Sequence, residues 1–344
     1  MKTKLLLALS GAAILGACSN NSAASRDQIR VVGSSTVYPF AQAVAEQFVK
    51  TNAGFKSPIV ESTGTGAGMK LFCSGVGAQH PDVEMASRRI KASEYQDCAK
   101  NGVKDVVELQ IGIDGISFGE AQGGPQIRLT TEDVYKALAA RPYGKEQTAK
   151  LWRDVNPALP AIPILVYGPP STSGTRDALA ELIMTKGCDA NPAMKALKTS
   201  NEDEHKKVCT GVREDGAYVD SGENDNLIVQ KISANPNAIG IFGYSFLEEN
   251  RDKLKDVPLN GVEATYDTIS NFSYPGARPL YIYVKSAHVR AIPGLREFVA
   301  EWGKAMQPNG YLKARGMIVA PADVLARSGA IARDLTLLNA GELK

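Results

Sequence analysis

Residues 29–39 read Ile29-Arg30-Val31-Val32-Gly33-Ser34-Ser35-Thr36-Val37-Tyr38-Pro39 and join a short apolar run to a cluster of hydroxyl side chains. The run from Ile29 to Val32 is typical of a buried strand because it is short and rich in β-branched residues. Pro39 predicts the start of a helix over 39–50, since its missing N–H costs nothing in a first turn. The hydroxyl cluster is therefore predicted to lie between a strand and a helix N-terminus.

The same order of strand, polar turn and helix recurs three more times along the chain. Strands are predicted at 59–61, 83–86 and 164–167, and helices from 69, around 94–100 and over 178–184, the last with Gly187 as its C-cap. The intervening turns are Ser62-Thr63-Gly64-Thr65-Gly66-Ala67-Gly68, Ser87-Arg88-Arg89 and Gly168-Pro169-Pro170-Ser171-Thr172-Ser173-Gly174-Thr175-Arg176. This alternation predicts an α/β architecture.

Turns of this composition are suited to binding oxyanions. A helix N-terminus has free backbone N–H groups and about half a positive charge, which together attract an anion. One such turn indicates only a helix cap, because Ser and Thr are common N-caps. Four in one chain, two of them with arginine, favour an anion site. The glycine spacing fits neither a dinucleotide fingerprint nor a P-loop, and the sequence contains no GxSxG nucleophile elbow.

The N-terminus predicts an export signal over residues 1–17. Lys2 and Lys4 precede an apolar run that ends in Leu15-Gly16-Ala17-Cys18, and the run is too short to span a membrane. The ending resembles a lipobox, which would leave Cys18 as a lipidated N-terminus and tether the protein to a membrane through that lipid alone. Ordinary cleavage after Ala24 is the alternative. Both predict a protein of the periplasm or the cell surface.

The charge balance argues against a nucleic-acid partner. The chain has 39 Lys and Arg against 37 Asp and Glu, and loss of residues 1–17 removes two lysines, which leaves 37 against 37. A nucleic-acid binder normally has a basic excess or a basic face. About 320 remaining residues, without a low-complexity linker or a repeat, predict two lobes in one compact unit.

The cysteines beyond Cys18 form an even set, which in an exported chain predicts disulfides. Three pairings of Cys73, Cys98, Cys188 and Cys209 are possible, and proximity favours the first with the second and the third with the fourth. A zinc site is the rival interpretation. The sequence contains no CxxC motif and its three histidines lie far apart, so we expect no metal.

Five motifs together carry a resemblance to a known family. They are Gly33 to Pro39, Gly64 to Lys70, Ala86 to Ile90, Ser173 to Arg176, and Tyr274 to Val284. In this order, over most of the mature chain, they resemble the PstS-like phosphate-binding proteins of ABC phosphate importers. The resemblance implies a type II periplasmic-binding-protein fold, in which two lobes, each a mixed sheet flanked by helices, close on a ligand in the cleft between them.

The resemblance also implies partners and boundaries. We expect a monomer without a cofactor that binds inorganic phosphate and acts with the permease and ATPase subunits of an importer. The first lobe is predicted to contain residues 27–112 and 265–344, and the second lobe residues 113–264. The strands that cross between the lobes are predicted near 113–118 and 261–267.

Ligand contacts are carried over from the family position by position. Thr36, Val37 and Tyr38 match the first turn, Thr65 matches the second, and Ser173, Gly174 and Thr175 match the fourth. Ser87 stands at the serine position of the third turn. Ser35 is added because it is a neighbouring hydroxyl.

Two positions depart from the family pattern. Familiar members have an aspartate where this chain has Arg88, and an arginine where it has Pro169. We therefore predict that Arg88, Arg176 or both supply the cation, because a guanidinium can donate two parallel bonds to an oxyanion. The alternative is a surface arginine paired with an acid such as Asp177.

The loss of the family's aspartate leaves the acceptor for a ligand proton open. Asp225 is the first candidate and Glu61 the second, although Asn224-Asp225 can equally be a helix cap. Such an acceptor would reject sulfate, because a buried carboxylate facing a fully ionised anion is unfavourable.

The sequence thus favours a phosphate receptor and not an enzyme. A phosphatase-like enzyme is the alternative from another class, and a receptor for sulfate or molybdate is the third possibility. No adjacent Ser-His-acid arrangement supports the enzyme.

Overall fold

The computed structural model describes residues 26–222 and 225–343. The predicted signal peptide, Cys18 and the alternative cleavage site at Ala24 lie outside the described residues. Within that part of the chain, no helix is both long enough and apolar enough to cross a membrane.

The strands fall into two mixed sheets that share one long strand. In chain order they are β1 (Arg30–Gly33), β2 (Ile59–Ser62), β3 (Val83–Ala86), β4 (Val106–Ala121), β5 (Val166–Gly168), β6 (Tyr218–Asp220), β7 (Ile239–Gly243), β8 (Leu254–Asp256) and β9 (Ala277–Lys285). The path across both sheets is β2-β1-β3-β9-β4-β7-β5-β6, and β8 pairs with β4. β1 is parallel to β2 and β3, β5 is parallel to β6 and β7, and β4 is antiparallel to its partners.

Helices cover the sheets. They are α1 (Tyr38–Thr51), α2 (Thr65–Phe72), α3 (Ala92–Lys100), α4 (Thr131–Leu138), α5 (Trp152–Val155), α6 (Gly174–Ala178), α7 (Thr185–Asp189), α8 (Pro192–Ser200), α9 (Glu202–Thr210), α10 (Asp225–Ala234), α11 (Tyr244–Glu249), α12 (Tyr266–Ser270), α13 (Ser286–Val289), α14 (Leu295–Ala305) and α15 (Ala322–Asp334). A π-helical segment, Leu179–Met184, joins α6 to α7.

The first sheet contains β2, β1, β3, β9 and the first part of β4, and the second contains the rest of β4 with β5 to β8. The first sheet has a core on each face because successive strand residues point to opposite sides. Met85 of β3 belongs to the same core as Phe48 of α1 and Trp302 of α14, whereas the next residue, Ala86, belongs to the core that contains Phe72 of α2. A separate core surrounds the second sheet. This two-lobed α/β architecture confirms the predicted fold class.

β4 forms the connection between the two sheets. Its residues from Val106 to Gly115 pair with β9 in the first sheet, and those from Ile116 to Glu120 pair with β7 in the second. Ile269 and Tyr274 pack in the core of the second sheet. The lobe boundaries stay a prediction, and this packing favours a return crossing close to Ala277.

Both disulfides predicted from proximity are confirmed. Cys73 pairs with Cys98, and Cys188 pairs with Cys209. The first pair belongs to the core between α2 and the first sheet, and the second belongs to the core of the second sheet.

Two local predictions about glycines were wrong. The second turn is itself helical, so α2 begins at Thr65 and not at residue 69. Gly187 does not cap a helix but lies inside α7, where a Cβ atom would come within 2.1 Å of the Thr131 carbonyl oxygen. Glycine is required there because α7 packs closely against the start of α4.

Candidate functional site

A cavity of about 920 Å³ lies between the two lobes. Its lining includes residues predicted from three of the sequence elements, namely Ser35, Thr36 and Tyr38 of the first turn, Ser173, Gly174 and Thr175 of the fourth, and Asp225. Helix N-termini from both lobes therefore meet at one cavity.

The first turn is held by the strand that precedes it and by its neighbour β3. Gly33 ends β1 at a φ of +128°, and the Ser34 N–H donates to the Met85 carbonyl at 2.7 Å. Val37 is fully buried in the core, and its N–H donates to the Ser34 hydroxyl oxygen at 3.4 Å. The Val37 side chain therefore anchors the turn, and any contribution of this residue to ligand binding comes from its backbone.

Side-chain hydrogen bonds join the second and third turns. The hydroxyl oxygens of Thr65 and Ser87 are 3.0 Å apart, and the Ser87 N–H donates to the Thr65 hydroxyl oxygen at 3.1 Å. Both residues are buried. Thr63 and Gly64, rather than Thr65, line the cavity.

Arg88 is paired with a carboxylate of its own lobe. Its two terminal nitrogens donate to Glu94 at 2.9 and 2.7 Å. The bond to Glu94 raises the pKa of Arg88, although burial of the guanidinium opposes the shift. The family's aspartate position is thus occupied by half of an ion pair, and a direct contact between Arg88 and a ligand stays a prediction.

Glu84 of β3 is a buried carboxyl beneath the first two turns. A Cβ atom on Gly68 would lie 2.3 Å from the Glu84 Oε2 atom, and one on Gly33 would lie 2.8 Å from Oε1. Neither oxygen has a hydrogen-bond partner among the described residues. Burial raises the pKa of Glu84 well above its usual value, and Arg88 opposes the shift. Burial therefore favours the neutral form of this carboxyl.

Ser173 caps the helix of the fourth turn, because its hydroxyl oxygen accepts the Thr175 N–H at 3.2 Å. Arg176 lies over the ring of Tyr218, 4.3 Å from the centroid, and donates to the Pro169 carbonyl at 3.4 Å. Burial raises the pKa of Tyr218 to about 12. These contacts place Arg176 against the second lobe, and its predicted contact with a ligand stays a prediction.

The first and fourth turns touch across the cleft. A Cβ atom on Gly174 would lie 2.3 Å from the Thr36 N and Oγ1 atoms, so glycine is required for this approach. The Ser35 hydroxyl donates to Asp177 Oδ2 at 2.9 Å. The two lobes are therefore closed on each other at this point.

Three carboxylates line the cavity, and each has a described partner. Asp114 is 3.1 Å from Arg278, Asp177 accepts from Ser35, and Asp225 accepts the Gly243 N–H at 3.2 Å. The second-ranked sequence candidate, Glu61, is outside the cavity lining, has a half-exposed side chain and lies 3.5 Å from Arg30. Three carboxylates therefore face the cavity, and one of them, Asp114, is an ion-pair partner of Arg278.

Two residues with contacts across the cleft were given no ligand-binding role from the sequence. Arg278 stands in the Tyr274-to-Val284 motif, and Asp177 follows the fourth turn. The missing information was their cross-lobe contacts, which depend on tertiary structure.

One group of metal-ligating residue types occurs among residues 26–222 and 225–343, formed by Asp189, His205 and Cys209. Cys209 is half of a disulfide and has no thiolate to offer. His205 instead contacts Asp189 at 2.7 Å.

Two lobes around a polar cleft, with helix N-termini from both lobes at the cavity, define a solute-binding protein of the type II periplasmic class. Residues 19–302 match the family described as the PBP superfamily domain. Protein SphX of Synechococcus elongatus is 32% identical over 302 residues, with 84% of this chain and 78% of the relative covered. The phosphate-binding protein PstS of Staphylococcus saprophyticus is 31% identical over 320 residues, with 89% and 87% covered.

Solved structures agree on the fold. A possible phosphate-binding protein from Planctomyces limnophilus has a TM-score of 0.70 and 29% identity, with 89% of this chain and 98% of that chain covered. An ABC-type phosphate transport receptor from Vibrio cholerae has a TM-score of 0.59 and 20% identity, with 85% and 99% covered. The chain belongs to the PBP superfamily and, within it, to the family of PstS and SphX proteins.

Proposed function

We propose that this protein captures inorganic phosphate in the cleft between its lobes and delivers it to the permease and ATPase subunits of an ABC importer. The observation that carries the proposal is the meeting of the first and fourth turns, where Gly174 packs on Thr36 at the cavity between the lobes. This family consists of substrate-binding receptors, so the protein is a receptor and not an enzyme.

A cleft of this kind can hold an oxyanion through oriented neutral groups. The N-termini of α1 and α6 present N–H groups and hydroxyls from opposite lobes. The bound anion would contact both lobes only when they are closed, so binding favours the closed form by the difference in contacts between the two forms. The closed form is then the one that the permease recognises.

The carboxylates of the cavity support phosphate over sulfate. Near neutral pH, phosphate carries at least one O–H group that can donate a hydrogen bond to a carboxylate, whereas sulfate carries none. A carboxylate facing sulfate would remain an unpaired acceptor in a partly buried site, which is unfavourable. Asp177 and Asp225 are the candidates for this acceptor, because Asp114 is paired with Arg278.

We also propose that the protein is an extracytoplasmic monomer held by a lipid on Cys18. The apolar run that ends at Cys18 supports the anchor. One chain forms both walls of the cleft, which supports the monomer. Incorporation of labelled palmitate that disappears in Cys18→Ala is the expected result, and persistent labelling would contradict the anchor.

Isothermal titration calorimetry tests the proposed function. The mature protein is stripped of bound anion by unfolding and refolding with its disulfides intact, and is titrated with phosphate and then with sulfate. We expect one-to-one phosphate binding with a Kd of about 1 μM or tighter and no heat from sulfate. Protein that is folded by circular dichroism but gives no heat with phosphate would overturn the proposal.

A further inference from the structure

Arg278 is a buried cation at the point where the two sheets meet. It stands near the start of β9, directly opposite Asp114 of β4, and its side chain is 2% exposed. The Arg278 Nε atom donates to Asp114 Oδ2 at 3.1 Å. This cross-strand ion pair fixes the guanidinium next to the connection between the lobes.

The rest of the guanidinium reaches both walls of the cleft. Nη2 donates to the Thr36 hydroxyl oxygen of the first turn and, at 3.0 Å, to the Gly174 carbonyl oxygen of the fourth. Nη1 donates to Glu181 Oε2 at 3.3 Å, on the segment that follows α6. One side chain therefore bonds the first turn, the fourth turn and the strand that joins the lobes.

The bond to Thr36 determines the direction of that hydroxyl. Arginine has donors and no acceptor, so the Thr36 oxygen must accept from Arg278. The Thr36 hydrogen is then directed to another acceptor, and Thr36 lines the cavity. Within the closed cleft, Thr36 is thereby oriented as a donor to an anion.

We infer that Arg278 is a positioning residue for phosphate capture, which holds the two ligand-binding turns together and orients the Thr36 hydroxyl as a donor. The inference rests on the proposed function, because it assigns Arg278 a role in binding the same anion. Two carboxylates, Asp114 and Glu181, balance the buried charge of Arg278. The role depends on the fork of the guanidinium, since an ammonium cannot reproduce four directed bonds.

The experiment compares phosphate release and lobe closure in four variants, Arg278→Gln, Arg278→Lys, Glu181→Gln and Arg213→Gln. Arg278→Gln removes the cation, and Glu181→Gln weakens one of its bonds by removing the charge of a half-exposed partner, with little risk to folding. Arg213→Gln is the matched control. Arg213 is equally buried and pairs with Asp215, but it donates to the carbonyls of Ala137 and Ala149 within the second lobe.

Release is measured by stopped-flow fluorescence and closure by small-angle X-ray scattering, with and without phosphate. We expect Arg278→Gln to release phosphate at least about tenfold faster and to close less completely, with Arg278→Lys intermediate. Glu181→Gln should change release in the same direction by a few fold, and Arg213→Gln should release at the wild-type rate despite any loss of thermal stability.

The outcomes separate the two proposals. A wild-type protein that does not bind phosphate contradicts the proposed function itself. Wild-type binding, together with unchanged release and closure in both Arg278→Gln and Glu181→Gln, overturns the role of Arg278 alone. If Arg278→Gln fails to fold, the release rate of Glu181→Gln decides the question.

Discussion

The Ser35 hydroxyl donates its hydrogen to Asp177 Oδ2 across the cleft, at 2.9 Å. A hydroxyl has one hydrogen and two lone pairs, so Ser35 is left as an acceptor toward the cavity. Its neighbour Thr36 has the opposite polarity, because its oxygen accepts from Arg278. Adjacent hydroxyls of one turn therefore present an acceptor and a donor, an arrangement that matches an anion that still carries a proton.

Asp177→Asn should narrow the preference for phosphate over sulfate. The amide can donate to Ser35 and allow the serine hydrogen to turn toward the ligand, which would favour an unprotonated anion. We expect phosphate affinity to fall by roughly tenfold, from the loss of a charged hydrogen bond of about 1.5 kcal/mol or more. Competition calorimetry checks this result. Asp225→Asn is the matched variant. If it narrows the preference for phosphate over sulfate and Asp177→Asn does not, Asp225 is the acceptor.

Gly174→Ala should prevent the lobes from closing fully. The new methyl group would lie 2.3 Å from Thr36 in the closed form, whereas opening of the cleft relieves the clash without unfolding either lobe. We expect phosphate affinity to fall by roughly tenfold to a hundredfold, since overpacking costs about 1–3 kcal/mol. Titration calorimetry measures the affinity. Gly54→Ala is the control because nothing lies within 4 Å of a Cβ atom there, and equal affinities in the two variants would contradict the prediction.

Glu84→Gln should change how stability depends on pH. The folded-state pKa of Glu84 is raised by burial, so its favourable contribution is present below the usual pKa of 4.5 and is lost as pH rises toward the folded value. A neutral glutamine escapes this loss. We expect the free energy of unfolding in urea to be similar in the two proteins below the usual pKa of 4.5 and to favour the variant increasingly as the pH rises above it. A difference that does not vary with pH would show that Glu84 is not neutral in the fold.

Replacement of Cys188 and Cys209 by alanine should lower stability without lowering phosphate affinity. The disulfide closes a loop with a sequence separation of 21 residues, and loops of this size contribute about 3 kcal/mol in the chain-entropy model. Both cysteines belong to the core of one lobe, away from the cavity lining. Urea unfolding and calorimetry test the two halves of the prediction. A weakened affinity at full folding would indicate that this lobe's rigidity matters for closure.

Local sequence signals predicted the elements that present the site. The apolar run before Gly33 and the proline after Tyr38 predicted β1 and α1 to within a residue or two. The start of α2 was missed because glycines at 66 and 68 are poor helix formers. At Gly68 the close packing against Gly33 and Glu84 requires a glycine. Tertiary packing overrode the local preference.

The partners of the charged residues could not be predicted in the same way. Arg88 stands in a turn that resembles an anion site, yet its partner Glu94 comes from the next helix. Arg278 depends on contacts with residues 97, 104, 164 and 242 positions away in the sequence. The bonds of Arg278 to Thr36 and Gly174 depend on the approach of the two lobes, which no short motif encodes.

β4 is a strand of 16 residues that takes part in both sheets. A fragment-complementation sensor for phosphate, made by expressing the chain as two pieces, would therefore have to be divided elsewhere. A cut inside β4 would leave each piece with half of a strand and an exposed sheet edge, which is a template for aggregation. A cut in an exposed connection such as the loop near Gly123 would keep β4 whole. Reassembly of the two pieces would then depend on phosphate binding and not on re-forming a divided strand.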